Sequence, residues 1–213
     1  MLTTLGSARL LLIDCNVLFD AYQNASAYAR KCAKAEGRTY VRLADFRTGL
    51  YCSSELGELI TEAVNSDGRA PLYFTRHSVE VTAFTMVRKG AFGANDLTIE
   101  AVLKMKADGK AIDAYTWLFE EMLTMVAMLM KKGVAKWDNT VEDYHSASIE
   151  ASVSLHAGDS EDIMHGRSAL RGVDGYVVTH VTHDKGIANV ESLSKREVFT
   201  TKEALEYLRT LAA

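Results

Sequence analysis

Short apolar runs alternate along this chain with longer stretches whose apolar residues recur at three- and four-residue spacings. The runs at residues 9–13, 71–75, 175–181 and 197–200 have the length and the β-prone content of buried strands. Helices are predicted between and after them, at residues 15–35, 53–64, 77–89, 97–132, 141–155, 163–170 and 202–211. Strands separated by helices predict an α/β fold with a mostly parallel central sheet of four to five strands and helices on both faces, a Rossmann-like three-layer arrangement.

The pattern predicts a single domain over residues 1–213. The chain has one proline, Pro71, and neither a repeat nor a low-complexity tract divides it. Its middle is rich in helical periodicity, so we expect an enlarged helical insertion at about residues 91–156.

Composition narrows the classes of protein to consider. The 213 residues are 48% hydrophobic, enough to bury a core, but no run approaches the roughly 18 apolar residues of a membrane span. The first residues lack the features of a signal peptide, so we expect a cytoplasmic protein with no membrane partner. Three cysteines without a Cys-x-x-Cys pair suggest neither a disulfide framework nor a zinc site. The net charge of -4 is compatible with a local basic surface that binds nucleic acid.

Four acidic residues are predicted near the carboxyl ends of strands, where ligands bind in parallel sheets. Asp14 ends the first strand and Asp184 follows the strand at 175–181. Asp162 begins a helix just before that strand, and Glu80 lies in the helix after the strand at 71–75. Taken alone, each acid is as well explained by a structural role, such as capping a helix. Together they would repel one another without a cation, and oxygen ligands suit Mg²⁺ or Mn²⁺.

Residues 11–21, Leu-Leu-Ile-Asp-Cys-Asn-Val-Leu-Phe-Asp-Ala, resemble the opening motif of the PIN-domain family of metal-dependent nucleases. Residues 162–178 resemble the family's third-acid helix and the strand after it, and Thr182-His183-Asp184 resembles its Thr-x-Asp signature. Residues 197–208 resemble its closing strand and helix, whereas residues 22–160 show little resemblance.

The resemblance implies a role for each matching residue. Asp14, Asp162 and Asp184 would be metal ligands. Asn16 would orient the first aspartate, and Thr182 would position the last.

The family's second acid is a glutamate in the helix after the second strand, and two residues compete for this place. Glu80 fits the description, while Glu58 is the rival because residues 50–53 are also compatible with a strand. The ungapped position of the last acid holds Val181, which cannot ligate a hard cation, so we expect the strand to extend to Val181 and Asp184 to reach the cleft. His165 and His183 lie near the expected site and are candidates for contact with a phosphate or a base.

The expected function is therefore that of a Mg²⁺- or Mn²⁺-dependent nuclease, first of all an endoribonuclease. The expected partners are nucleic acid, RNA before DNA, with an antitoxin, another protein or a second copy of the chain as further candidates. One alternative is a non-catalytic PIN-like module that binds RNA or protein. Another is a HAD-like phosphohydrolase, which is less well matched because its opening motif needs a second aspartate where this chain has Asn16.

Overall fold

Five parallel strands form one sheet in the computed structural model, which describes residues 8–89, 111–141, 143–153, 160–171, 173–184 and 198–212. The strands are β1 (Ala8–Ile13), β2 (Leu72–Thr75), β3 (Ala135–Asp138), β4 (Tyr176–Val181) and β5 (Val198–Phe199), in the spatial order β3-β2-β1-β4-β5. The helices within these ranges are α1 (Cys15–Ala35), α2 (Leu43–Cys52), α3 (Glu55–Asn65), α4 (Arg76–Lys89), α5 (Ala111–Lys131), α6 (Tyr144–Val153), α7 (Ser160–Arg171) and α8 (Thr201–Ala212). Helices flank the sheet, and the predicted α/β fold class is confirmed.

The central position of β1 follows from its sequence. The run from Leu10 to Ile13 is fully buried, as expected for a strand covered on both faces. Successive side chains alternate between the faces: Leu11 and Ile13 join the larger hydrophobic cluster, whereas Leu10 and Leu12 join a smaller one. The register with β4 runs from Ala8 opposite Tyr176 to Ile13 opposite Val181, so both strands end at the same edge of the sheet.

Helix α2 was not predicted, and the strand considered at residues 50–53 is wrong. Phe46, Gly49 and Leu50 are the buried residues of α2 and recur at helical spacing. A side chain at Gly49 would approach within 2.9 Å of the Ala25 carbonyl oxygen and of the Tyr28 side chain in α1. Close packing against α1 therefore favours helix over strand in this segment.

Strand β3 was also not predicted, and it lies in the segment expected to be a helical insertion. It pairs in parallel with β2, from Leu72 opposite Ala135 to Thr75 opposite Asp138. It is a short edge strand in which only Ala135 is buried, so it lacks the apolar run that marks an inner strand. Residues 90–110, which include part of the predicted helix 97–132, lie outside the described residues. Among the described helices, none has the length and apolar character needed to cross a membrane.

Candidate metal centre

Asp14 stands at the carboxyl end of β1, where the chain turns into α1. Its carboxylate Oδ1 accepts a hydrogen bond from the Cys15 N–H at 2.6 Å, which makes it the N-cap of α1. Its own N–H donates to the carbonyl oxygen of Val181 at 3.1 Å, which fixes it beside the end of β4. The residue is only 3% exposed, so a charged carboxylate is held inside the protein.

The hydroxyl of Thr182 connects the two motifs that lie far apart in the sequence. It donates to Asp14 Oδ2 at 2.6 Å and accepts from Asn16 Nδ2 and from the Asp184 N–H, both at 2.9 Å. These contacts use the single donor and both acceptor sites of a hydroxyl. Asn16 Oδ1 in turn accepts from the His183 N–H at 3.2 Å, so the chain after β4 is tied to the start of α1.

Two buried histidines also lie close to this carboxylate. His165 in α7 places Nε2 3.0 Å from Asp14 Oδ1, and His180 in β4 places Nε2 3.7 Å from Asp14 Oδ2. One ligand atom from each of these three residues lies within 4.8 Å of the others. His77, in the first turn of α4, packs its ring on that of His165 with a centroid distance of 5.0 Å. The arrangement is a buried carboxylate surrounded by imidazoles.

The electrostatics of this group favour a charged Asp14 carboxylate and neutral rings on His77 and His180. Burial opposes ionisation of Asp14, but His165 and then His180 hold its pKa well below the usual range. Burial lowers the pKa of His180, against the opposing effect of Asp14. Burial and the neighbouring His165 lower the pKa of His77 to about 3. At neutral pH Asp14 therefore carries a negative charge and the neutral His180 ring offers a nitrogen lone pair, both of which a cation can use.

The predicted acids do not all gather around Asp14. Glu80 forms an ion pair with Arg76 one turn earlier in α4, with Oε1 2.6 Å from Nε. Glu58 is exposed on α3, 3.9 Å from Arg209 of α8. Asp184 is exposed and joins the network through its main-chain N–H. Asp162 falls in the first turn of α7, and its side chain lies outside the described residues. Among the described side chains, the candidate ligand group contains one carboxylate, that of Asp14.

His183 takes part in a separate, exposed arrangement. Its Nδ1 lies 2.8 Å from Asp20 Oδ2 in α1, and its Nε2 lies 3.0 Å from Glu55 Oε2 at the start of α3. Glu55 also accepts a hydrogen bond from the Thr201 hydroxyl of α8. Asp20, Glu55 and His183 line an open cavity of about 260 Å³. Both ring nitrogens of His183 are thus engaged by carboxylates, whereas the sequence had suggested contact with a phosphate or a base.

Two residues of the centre, His77 and His180, were missed from the sequence. His180 stands two positions before Thr182, so the two side chains point to the same side of an extended chain. Because Thr182 was already a candidate site residue, this two-residue spacing could have indicated that His180 lies at the same site. His77 gave no comparable signal, because its place beside His165 depends on how α4 and α7 pack.

No protein-family model matches this chain, and neither a curated protein nor a solved structure matches it. The similarity to PIN domains therefore rests on the sequence motifs described above.

Proposed function

We propose that this protein is a divalent-metal-dependent nuclease of the PIN-like type, acting first of all on RNA, with its reaction centre around Asp14. The observation that supports this most is the hydrogen bonding of Thr182 to Asp14 and Asn16. Thr182 lies 168 positions after Asp14 and 166 positions after Asn16 in the chain. They come from the two motifs that resemble the PIN family, and they meet at the edge of the sheet where parallel α/β proteins bind ligands.

The residues around Asp14 have distinct roles in this proposal. Asp14 would hold the ion, because it is ionised at neutral pH and fixed by hydrogen bonds on both carboxylate oxygens. Thr182 and Asn16 would keep that carboxylate in position, as outer groups do for many metal ligands. A bound divalent ion supplies a water of lowered pKa and stabilises charge at a phosphodiester.

In this proposal the segment after β4 marks the side from which a substrate would reach Asp14. Asp14 and Thr182 are buried, whereas His183 and Asp184 are exposed. The hydrogen bond from the Asp184 N–H to Thr182 joins the exposed part of the segment to the buried part. A phosphate group would approach from this side, and Asp184 would be the first acid that it meets.

A test of the function uses metal-free protein and single-stranded RNA and DNA of the same mixed sequence. Adding Mn²⁺, Mg²⁺ or Zn²⁺ separately should produce cleavage by the wild type in at least one case, with RNA cut faster than DNA. Asp14→Asn should reduce cleavage to the background level, because the amide cannot replace the anionic ligand. Glu58→Gln makes the same acid-to-amide change at an exposed site and should cut like the wild type.

The non-catalytic alternative has its own support, since Glu80 is paired with Arg76 and Asp184 is exposed. Metal binding that depends on Asp14, together with no cleavage of either nucleic acid, would favour that alternative. Full activity in Asp14→Asn would instead remove the proposed centre altogether.

A further inference from the structure

We propose that Asp14, His165 and His180 bind one first-row transition-metal ion, best matched by Zn²⁺, in preference to Mg²⁺. The inference rests on the proposed function for its catalytic meaning, because it names the ion at the same centre. It revises the expectation that all the metal ligands are oxygen atoms. That expectation came from the four acidic residues predicted near the carboxyl ends of strands. The binding itself can be measured without any cleavage reaction.

The chemistry of the donor atoms selects the ion. Two imidazole nitrogens and one carboxylate oxygen converge in this group. Zn²⁺ and Fe²⁺ are commonly bound by two histidines and one carboxylate, with at least one position left for water. Mg²⁺ prefers oxygen ligands in octahedral geometry and gives up its water reluctantly. A site with two imidazoles is therefore poorly suited to Mg²⁺.

The spacing of the donors is compatible with one ion. Two ligand atoms about 2.1 Å from a metal are separated by about 3.0 Å at a right angle and about 3.4 Å at a tetrahedral angle. The distances from the Asp14 oxygens are 3.0 Å to His165 Nε2 and 3.7 Å to His180 Nε2. One ligand atom from each of the three residues lies within 4.8 Å of the others, so the side chains would draw together around a bound ion.

The hydrogen bonding of His180 gives an independent reason to expect a ligand. Among the described residues, neither ring nitrogen of His180 has a hydrogen-bond partner, although the side chain is 1% exposed. The separation of 3.7 Å from Asp14 is too long for a hydrogen bond. Buried polar atoms without partners are rare and costly, and an ion that binds the Nε2 lone pair would remove the cost.

The three ligands found among the described residues leave one position of a four-coordinate ion for a further group. Structural zinc sites are closed by four protein ligands, whereas catalytic sites keep one position for water or substrate. Among the described residues, the group that meets the distance condition has three members and does not include His77. The centre therefore has the composition of a catalytic site, which agrees with the proposed reaction.

The test measures metal binding by the full chain after treatment with a chelator. Titration calorimetry and elemental analysis should give one Zn²⁺ per chain, and a large excess of Mg²⁺ should fail to displace it. His180→Ala and His165→Ala should each lose most of this binding. His183→Ala is the matched control, because His183 is an exposed histidine three residues beyond His180, and this variant should keep one Zn²⁺ per chain.

A second measurement needs no variant, so it remains informative if a substitution prevents folding. Co²⁺ in place of Zn²⁺ should give the visible absorption of a four- or five-coordinate site. Pulsed paramagnetic resonance of the Co²⁺ protein should detect coupling to imidazole nitrogen. Absence of nitrogen coupling, or equal binding of Mg²⁺ and Zn²⁺, would overturn the proposal.

The results also separate this inference from the proposed function. One Zn²⁺ bound through the histidines, without cleavage of RNA or DNA, supports the metal site and contradicts the nuclease. Mg²⁺-dependent cleavage that survives His180→Ala supports the nuclease and contradicts this metal site.

Discussion

Two groups of histidine and carboxylate side chains stand close together in this protein and differ chiefly in burial. In the buried group, His165 and His180 share the single carboxylate of Asp14. In the exposed group, His183 has a carboxylate on each ring nitrogen, from Asp20 and Glu55. Water screens the exposed contacts, whereas burial strengthens every interaction and makes missing partners costly. The same residue types therefore form ordinary surface contacts in one place and a candidate metal centre in the other.

The largest effect on stability is expected from Thr182→Val, which removes the hydroxyl that joins Asp14, Asn16 and the Asp184 N–H. The change keeps the shape of the side chain but removes one hydrogen bond from the buried Asp14 carboxylate and the acceptor for Asn16 and the Asp184 N–H, at a cost of about 2 to 4 kcal/mol in free energy of unfolding. Urea denaturation at neutral pH measures it. The control is Thr61→Val, which deletes one part-buried helical hydrogen bond to the Gly57 carbonyl and should cost less than about 1 kcal/mol. Equal costs would contradict the central place given to Thr182.

A smaller effect of opposite sign is expected from His180→Leu in metal-free protein. Removing buried ring nitrogens that lack hydrogen bonds should raise the free energy of unfolding by about 1 to 2 kcal/mol. Zn²⁺ at one hundred times its Kd should then stabilise the wild type by about 2.7 kcal/mol and the variant not at all, so the order of stabilities reverses. Thermal unfolding with and without Zn²⁺ measures both. His183→Leu, at the exposed group, should respond to Zn²⁺ like the wild type.

A further prediction concerns pH and the buried His77. Its pKa is lowered from 6.5 to about 3, chiefly by burial and then by His165, with a weaker opposing effect of Asp14. The unfolded chain therefore binds a proton below pH 6.5 that the folded chain does not, and stability falls as the pH decreases from 6.5 towards 3. Between pH 7.5 and 5.5, metal-free wild type should lose about 1 kcal/mol more than His77→Gln. Denaturation curves at the two pH values test this, and equal losses would show that His77 titrates alike in both states.

The smallest effect is expected in the exposed group, from Glu55→Gln. The change weakens contacts with His183 and Thr201 on the protein surface, where ion pairs contribute about 0 to 1 kcal/mol. The loss should shrink further in high salt, and metal binding at Asp14 should not change. Denaturation at low and high ionic strength measures the first, and Zn²⁺ titration the second. A loss as large as that of Thr182→Val would erase the distinction between the two groups.

The sequence predicted those features that depend on local pattern. Strand β1 and the helices α1 and α3 follow from apolar spacing and from the residues that begin each helix. The extension of β4 to Val181 also agreed with prediction. Every residue from Val177 to Thr182 except His180 favours a strand. Such features are determined by residues that are close together in the chain, so they can be predicted from the sequence without knowledge of the fold.

Features that depend on contacts between distant elements were predicted less well. Asp14, Asn16 and Thr182 were predicted as site residues because they lie in the motifs. The hydrogen bond between Thr182 and Asp14, however, depends on the register of β1 and β4. The pairing of Glu80 with Arg76 was within reach of the sequence, because residues four apart on a helix are neighbours. Helix α2 and strand β3 depend on partners elsewhere in the fold. The imidazoles around Asp14 come from three different elements, and no local pattern brings them together.

The pairing of β1 with β4 has a consequence for the order in which the protein is made. Asp14 leaves the ribosome long before His165, His180 and Thr182, which follow it by 151, 166 and 168 positions. The contact between Asp14 and Thr182 spans 168 positions, so it can form only after β4 and the residue that follows it have been synthesised. An incomplete chain that ends before β4 has the first aspartate without the residues that fix it. Any metal binding or activity centred on Asp14 would therefore begin only after β4 has been synthesised, and a product that ends before β4 would lack it.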